Sequence, residues 1–364
     1  MRILLISYDD YKFDGRLREL IQVAKELGEV TYITRASDGE QPREKGHILY
    51  PDRGYSRFMF FVCVQVKKLG RQDLIFIDNR KGILPGYLAR KLSGADYVVQ
   101  DCRELYDMKS AAGIPGRIGC IIEQIFTKRS DVVIAANAYR ARIMTKMFRL
   151  KREPLNYENI RRLEYASDEK RQQVEAECRT FFEEPKFRIV STAGCDMSRT
   201  TGKMLEAMKG LGEDYELLLI GESEEEDEQI VRGTIRRLGL TNVKILPRMD
   251  QDHLKYFIQN SQAGMVAYHQ RDLNNRYCAS GKIFEFLFEG KPVVTSTNPP
   301  LKDFCEKYRA GQASDDYEQA VRELAGRYEQ WQNHVERLIS RIHVEQNNKK
   351  LADQIRSLLE ERKR

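Results

Sequence analysis

Two charged side chains in this sequence are spaced for work on a phosphate ester. Lys282 and Glu285 stand three residues apart at the start of a short apolar stretch that also holds Ile283, Phe284, Phe286, Leu287 and Phe288. Three residues is nearly one helical turn, so both project to the same side of a helix. The preceding run Asn274 to Gly281 is polar and ends in small residues. A loop of that kind lets a ligand approach backbone N–H groups, and the helix start adds its positive end. There the amides around Ser280, Gly281 and Ile283, with Lys282, would hold a diphosphate, and Glu285 would accept hydrogen bonds from ribose hydroxyls. The plain alternative is that Ser280 caps a helix and both charges are solvated.

Such side chains need strands that end beside one another. Arg2 to Ser7 is a continuous apolar run, as a buried parallel strand should be. Arg16 to Leu27 has helical periodicity and stops at Gly28, and Val30 to Thr34 reads as the next strand, a βαβ opening. Further strands are expected at Leu74–Asp78, Tyr97–Gln100 and Asp131–Ala135, with helices at Ile83–Leu92, Ile118–Lys128 and Asn137–Phe148. A charged helix, Asp168–Phe182, precedes a second series with strands at Phe187–Thr192, Leu217–Ile220, Val243–Leu246 and Met265–Tyr268, and a buried strand opened by Pro292. Gly290 is placed to end the helix before it. From Asp315 onward the pattern is helical. Ligands in such sheets sit beyond the carboxyl ends of strands. The first loop lacks Gly-x-Gly-x-x-Gly, so a dinucleotide cofactor is not supported, and Gly202-Lys203 is not a P-loop.

At 364 residues the chain suits two domains. The expected division is 1–165, 166–342, and a terminal helix over 343–364. The composition, 41% hydrophobic and 32% charged, is that of a globular protein, and the longest apolar run, Phe58 to Val64, is far short of a membrane span. No signal peptide is read at the start. The seven cysteines show no Cys-x-x-Cys, and the five histidines are scattered, which points to reduced thiols in a cytoplasm and away from a metal enzyme. Residues 1–165 hold 30 Lys+Arg against 21 Asp+Glu, and the remainder 31 against 34. A basic first half could face anionic lipid, nucleic acid or a phosphorylated acceptor.

The run from Ser280 to Val294, with its small-residue loop, Lys282-x-x-Glu285 and Gly290-Lys291-Pro292-Val293-Val294, resembles the nucleotide-binding segment of retaining GT-B glycosyltransferases, the large family 4 of sugar transferases. Asp101-Cys102-Arg103-Glu104-Leu105-Tyr106 resembles the family's Asp-x-His-Glu-Leu-Tyr segment with arginine in place of histidine, and Asp14-Gly15-Arg16 resembles its first loop. Many members also carry a glutamate eight residues before the Glu285 position, where this chain has Tyr277. The resemblance spans nearly the whole chain. It implies an α/β, GT-B architecture: two Rossmann-like doubly wound domains facing each other across a cleft.

By the same resemblance Arg199 and Lys203 are the basic pair for the leaving diphosphate, Gly194 permits the close turn before them, and Arg248-Met249 sits in the loop that holds the base. Asp14, Gly15, Arg16, Asp101, Arg103 and Glu104 fall on the acceptor side. For Asp14 a simple helix cap, and for Asp101 a buried ion pair, remain open. The implied activity is sugar transfer from a nucleotide-sugar, UDP-linked, to a glycan or lipid-linked acceptor with retention. No metal, cofactor or nucleic acid is called for. The alternatives are an epimerase on the same fold and a non-catalytic partner of an active transferase. Tyr55 to Leu69, crowded with Phe58, Met59, Phe60, Phe61, Val62, Val64 and Val66 and ending in Lys67-Lys68, is either a core helix or a helix on an anionic membrane surface. The expected place of work is cytoplasmic, peripheral to the membrane.

Overall fold

The computed structural model describes residues 1–12, 14–37, 40–52 and 54–362. Phe13 of the first loop, and Lys363 and Arg364 at the end of the expected terminal helix, lie outside them. The chain divides into two units, Met1–Arg161 with Val344–Arg364, and Arg162–His343.

The sheet of the first unit contains β1 (Arg2–Asp10), β2 (Glu29–Arg35), β3 (His47–Tyr50), β4 (Leu74–Asp78), β5 (Tyr97–Cys102), β6 (Val132–Ala135) and β7 (Leu155–Asn156). The order is β3-β2-β1-β4-β5-β6-β7, and neighbours run parallel, with Leu4 beside both Thr31 and Ile75. Alternate residues of a strand point to opposite faces. One face therefore buries Ile3, Leu5, Phe76, Val99 and Ile134 beneath the helices Gly15–Leu27 and Val344–Glu361. The other buries Leu4, Ile6, Ile75, Ile77 and Val98 beneath Tyr55–Leu69 and Ile83–Ser93. The terminal helix is fastened by more than Leu351, Ile355 and Leu359: Asn348 accepts the Tyr157 hydroxyl at 2.7 Å and donates to Glu19 at 2.6 Å.

Two sequence expectations change here. The Tyr55–Leu69 helix puts Phe58, Val62 and Val66 into the core, yet leaves Phe60 72% exposed. Strand β3 was not expected; it is a short edge strand whose His47 is held by Thr34 at 2.8 Å, and four residues without alternation carry little pattern.

The sheet of the second unit contains β8 (Phe187–Ser191), β9 (Tyr215–Ile220), β10 (Val243–Leu246), β11 (Ala263–Val266), β12 (Val293–Thr295) and β13 (Gly311–Ala313), in the parallel order β10-β9-β8-β11-β12-β13. Strand β11 starts two residues earlier than the Met265 expected, and the charged helix ends at Cys178, with a 3-10 turn over Arg179–Phe182. Both sheets place the first strand of their unit beside two crossovers in opposite directions, which sets a crevice at the carboxyl ends of those strands.

Candidate functional site

In the second unit the Lys282–Glu285 helix is positioned by a notch. A Cβ at Gly264 on β11 would fall within 2.3 to 2.7 Å of the Phe286 ring, so glycine there lets Phe286 pack flat on the strand. With Phe286 and Ile283 anchored, Lys282 and Glu285 are held at the start of the helix. That helix is six residues long, Lys282–Leu287, and Gly281 is its cap without a side-chain bond. Ser280 does not cap it: its Oγ is buried and has no partner among the described residues. A single turn and a half also supports little dipole, so the charge offered at this junction is chiefly Lys282 itself. Glu285 is 6% exposed.

Lys282 donates to the Thr192 carbonyl, which joins this junction to the loop after β8. In that loop Gly194 has φ of 59°, and a Cβ there would lie 2.7 Å from Ser223 Oγ and 2.9 Å from the Glu222 carbonyl. Glycine lets the turns after β8 and β9 touch. Ser223 Oγ accepts from the Cys195 N–H at 2.8 Å, and Asp227 from Met197 at 3.1 Å. Arg199, at the end of the 3-10 turn Met197–Arg199, lays its guanidinium 4.0 Å from the Tyr268 ring centre and gives Nε to Asp196 at 3.2 Å. Its Nη1 is buried with no partner among the described residues, as is Thr192 Oγ1.

The two members of the expected basic pair differ in burial. Lys203, on the helix Thr201–Leu211, is exposed and turns toward Asp315 at 3.6 Å, while Arg199 is half-buried in the loop. Arg248 is exposed and 3.3 Å from Glu222, and Met249 is half-buried beside it. Tyr277 is half-buried with the Arg276 guanidinium 5.7 Å above its ring.

Sequence reasoning missed the support for this junction. Buried Asn298 donates to the carbonyls of Asn275 at 2.8 Å and His269 at 3.3 Å, and accepts from Ser296 at 2.6 Å. Ser296 in turn accepts from the Tyr268 N–H at 2.9 Å. His269 donates its backbone N–H to Ser198 at 3.1 Å, closing the loop onto the Arg199 turn. The signal was available in the polar run Thr295 to Asn298 directly after a buried strand.

In the first unit the expected acceptor residues gather at the carboxyl ends of β1, β4 and β5. Asp14 caps the helix Gly15–Leu27, accepting from Leu17 at 2.9 Å, and also accepts from Arg103. Arg16 forks onto Asp101 at 2.8 and 2.7 Å, both side chains almost wholly enclosed, and donates to the Tyr157 carbonyl at 3.1 Å. Asp101 thus stands in a buried ion pair. Arg103 gives Nη2 to both Asp78 oxygens at 2.5 and 2.6 Å and Nε to one of them at 3.1 Å, and lies 3.6 Å from Asp9. Glu104 is 3.8 Å from Arg140.

Four carboxylates share two guanidiniums here. Burial pushes the Asp78 carboxyl up to about 7 against the pull of Arg103, and Asp9, Asp14 and Asp101 push the same way. Burial would raise Asp14 too, but Arg103 and the Leu17 N–H outweigh it and hold Asp14 below the usual range. Among the described residues no group of three or more His, Cys, Asp or Glu is placed to hold a metal ion.

No protein-family model matches the sequence, and no curated protein matches it. Solved structures do match its fold. The chain superposes on HepE from Anabaena, determined with UDP and glucose, with a TM-score of 0.72 at 14% identity, over 98% of this chain and 100% of that one. Sucrose-phosphate synthase from Thermosynechococcus elongatus gives 0.74 at 16% identity, over 99% of each chain. A UDP-GlcNAc 2-epimerase from Methanocaldococcus jannaschii gives 0.56 at 10% identity, over 90% of this chain and 92% of that one. These likenesses establish the GT-B architecture, two Rossmann-like doubly wound domains.

Proposed function

We propose that this protein is a glycosyltransferase that moves a sugar from a UDP-sugar to a glycan or lipid-linked acceptor, with retention of configuration, in the building of a surface polysaccharide or glycolipid. One observation carries the reading. Thr192 Oγ1, Arg199 Nη1 and Ser280 Oγ are buried without partners on two loops that Lys282 ties together. Buried polar atoms are nearly always satisfied, and three orphans on loops joined by one lysine call for an acceptor-rich guest. A diphosphate fits: it accepts from all three and from Lys282, while Glu285 meets the ribose. HepE, which was solved with UDP and glucose, supports UDP as the nucleotide.

The chemistry asks little covalent work of the protein. As the sugar–phosphate bond breaks, charge grows on the leaving diphosphate, and Arg199 and Lys282 stabilise it. The acceptor hydroxyl attacks from the same face and the departing phosphate takes its proton. The two cations make a metal unnecessary. An epimerase fits less well, because His269 is spent on its own loop, accepting from the Arg271 N–H at 3.2 Å with Asp272 3.5 Å away. The non-catalytic alternative turns on Tyr277 and Arg103.

Calorimetry with UDP tests the donor site. Glu285→Ala should weaken binding by about 1.5–3 kcal/mol, the range for a hydrogen bond to a charged group. Unchanged affinity would sink the assignment. Slow hydrolysis of a UDP-hexose without acceptor separates an enzyme from a non-catalytic relative.

The proposed setting is the cytoplasmic face of an anionic membrane. No helix among the described residues is long and apolar enough to cross a bilayer, and residues 1–165 carry the excess of cations.

A further inference from the structure

The second unit holds a cavity of about 480 Å³ lined by the end of the helix Pro299–Tyr308, the edge strand β13 and the helix Tyr328–Ile339. Its size is that of small-molecule sites. Thr192, Arg199, Ser280 and Lys282 are not part of its wall. Trp331 and His334 stand three residues apart on Tyr328–Ile339, so both project to one side, and both line the cavity. Their rings meet edge to face with 6.2 Å between centres, and Trp331 packs on the core of the unit. Trp331 Nε1 and His334 Nδ1 are buried with no partner among the described residues. An indole N–H can only donate, and buried donors are nearly always satisfied, so it calls for an acceptor from outside the chain.

Two cations line the same cavity. Arg309 and Arg327 are exposed, and neither makes a salt bridge or a side-chain hydrogen bond among the described residues. The one carboxylate in the wall, Glu306, lies 3.8 Å from Lys302. Glu323, which also feels Arg327, accepts from Gln312 at 2.9 Å and Gln319 at 2.8 Å. Arg309 ends its helix with φ of 50°, a conformation that favours glycine. The chain keeps an arginine there, and backbone strain of that kind collects at ligand sites.

A single carboxylate matches one guanidinium fork. A phosphate monoester carries about −1.5 to −2 charges at neutral pH, with oxygens enough for two guanidiniums and the indole N–H. We propose that this cavity binds a small phosphate monoester, with its phosphate held by Arg309 and Arg327, an oxygen accepting from Trp331 Nε1, and the organic body in the remaining space. The site is separate from the donor loops and does not rest on the reading of them.

Trp331 is the one tryptophan of the chain, so tryptophan emission reads this cavity. The test is a fluorescence titration of the full chain with ribose 5-phosphate and glucose 6-phosphate, with ribose, glucose and citrate as controls. At least one ester should change the emission saturably, and the free sugars should not. Arg309→Gly with Arg327→Gln should weaken that ester about tenfold or more, since charge-assisted hydrogen bonds are lost. Glycine suits the backbone at 309, so this variant should melt no lower than wild type, and its loss of binding is then not a loss of fold. Lys282→Ala, which strips the donor site of its cation, should leave the titration unchanged. No response to either ester, an equal response to the free sugars, a response to citrate alone, or an unchanged affinity in the arginine variant overturns the proposal. So does loss of binding in Lys282→Ala, which would return the ester to the donor loops. The UDP-induced thermal shift of the arginine variant, measured without ester, should stay at the wild-type value. That shift reads the donor site separately, so a failed cavity and a failed donor site give different results.

Discussion

Replacing Ser280 with alanine should move two measurements in opposite directions. Without nucleotide, Ser280 Oγ is buried and makes no hydrogen bond. Deleting it removes a desolvated polar atom, a relief of about 1–3 kcal/mol. In a unit of this size each 1 kcal/mol shifts the melting temperature by roughly 2–4 °C, so the free variant should melt a few degrees higher. With UDP the variant should gain less than wild type. The lost bond to phosphate is worth about 2 kcal/mol, or roughly a thirtyfold rise in Kd. At a UDP concentration about 100 times the wild-type Kd, wild type gains about 2.7 kcal/mol and the variant only about 0.9 kcal/mol. Differential scanning fluorimetry reads both effects, and calorimetry checks the affinity. A lower melting temperature in the free variant would mean that Ser280 supports the fold. A full UDP shift in the variant would mean that the hydroxyl does not face the nucleotide. Either result refutes the reasoning.

Other expected outcomes concern the first unit and the metal. Arg103→Met strands Asp78 without its guanidinium and should cost about 3–5 kcal/mol at pH 8, with Asp78→Asn in the same chain recovering at least half. The loss should shrink at pH 5, where Asp78, which burial pushes up to about 7, takes a proton; a pH-independent loss would contradict this. Glu123 is pushed by burial up to about 8 despite Arg80. A raised carboxyl stabilises the fold below the ordinary value near 4.5 and loses that contribution as pH climbs to 8, by at most about 1.4 kcal/mol per unit. The melting temperature of Glu123→Gln, relative to wild type, should therefore rise between pH 5 and 9; parallel profiles would refute it. Turnover of a UDP-sugar should persist in EDTA, and a loss restored by magnesium or manganese would show a metal requirement.

Most strands and their parallel sense were legible because continuous apolar runs such as Leu4-Leu5-Ile6 and Leu217–Ile220 must be buried on both faces, and that demand is local; the short edge strand β3 offered no such run. The Lys282–Glu285 spacing was legible for the same reason, since one helical turn relates them whatever surrounds them. What the neighbourhood does to each side chain was not. Sequence alone offered Lys203 and Arg199 as a pair, but not that Lys203 lies 3.6 Å from Asp315, over a hundred residues away. It offered Asp101 and Arg103 as neighbours in one motif, yet Arg16 encloses the first while Asp78 and Asp14 hold the second. Nor could it show that Ser280 is left without a partner, or that Gly264 is the notch for Phe286. A local pattern records which residues must leave water. Which charge meets which, and which polar atom is left without a partner, depends on strands brought together from distant parts of the chain, and only the folded arrangement decides it.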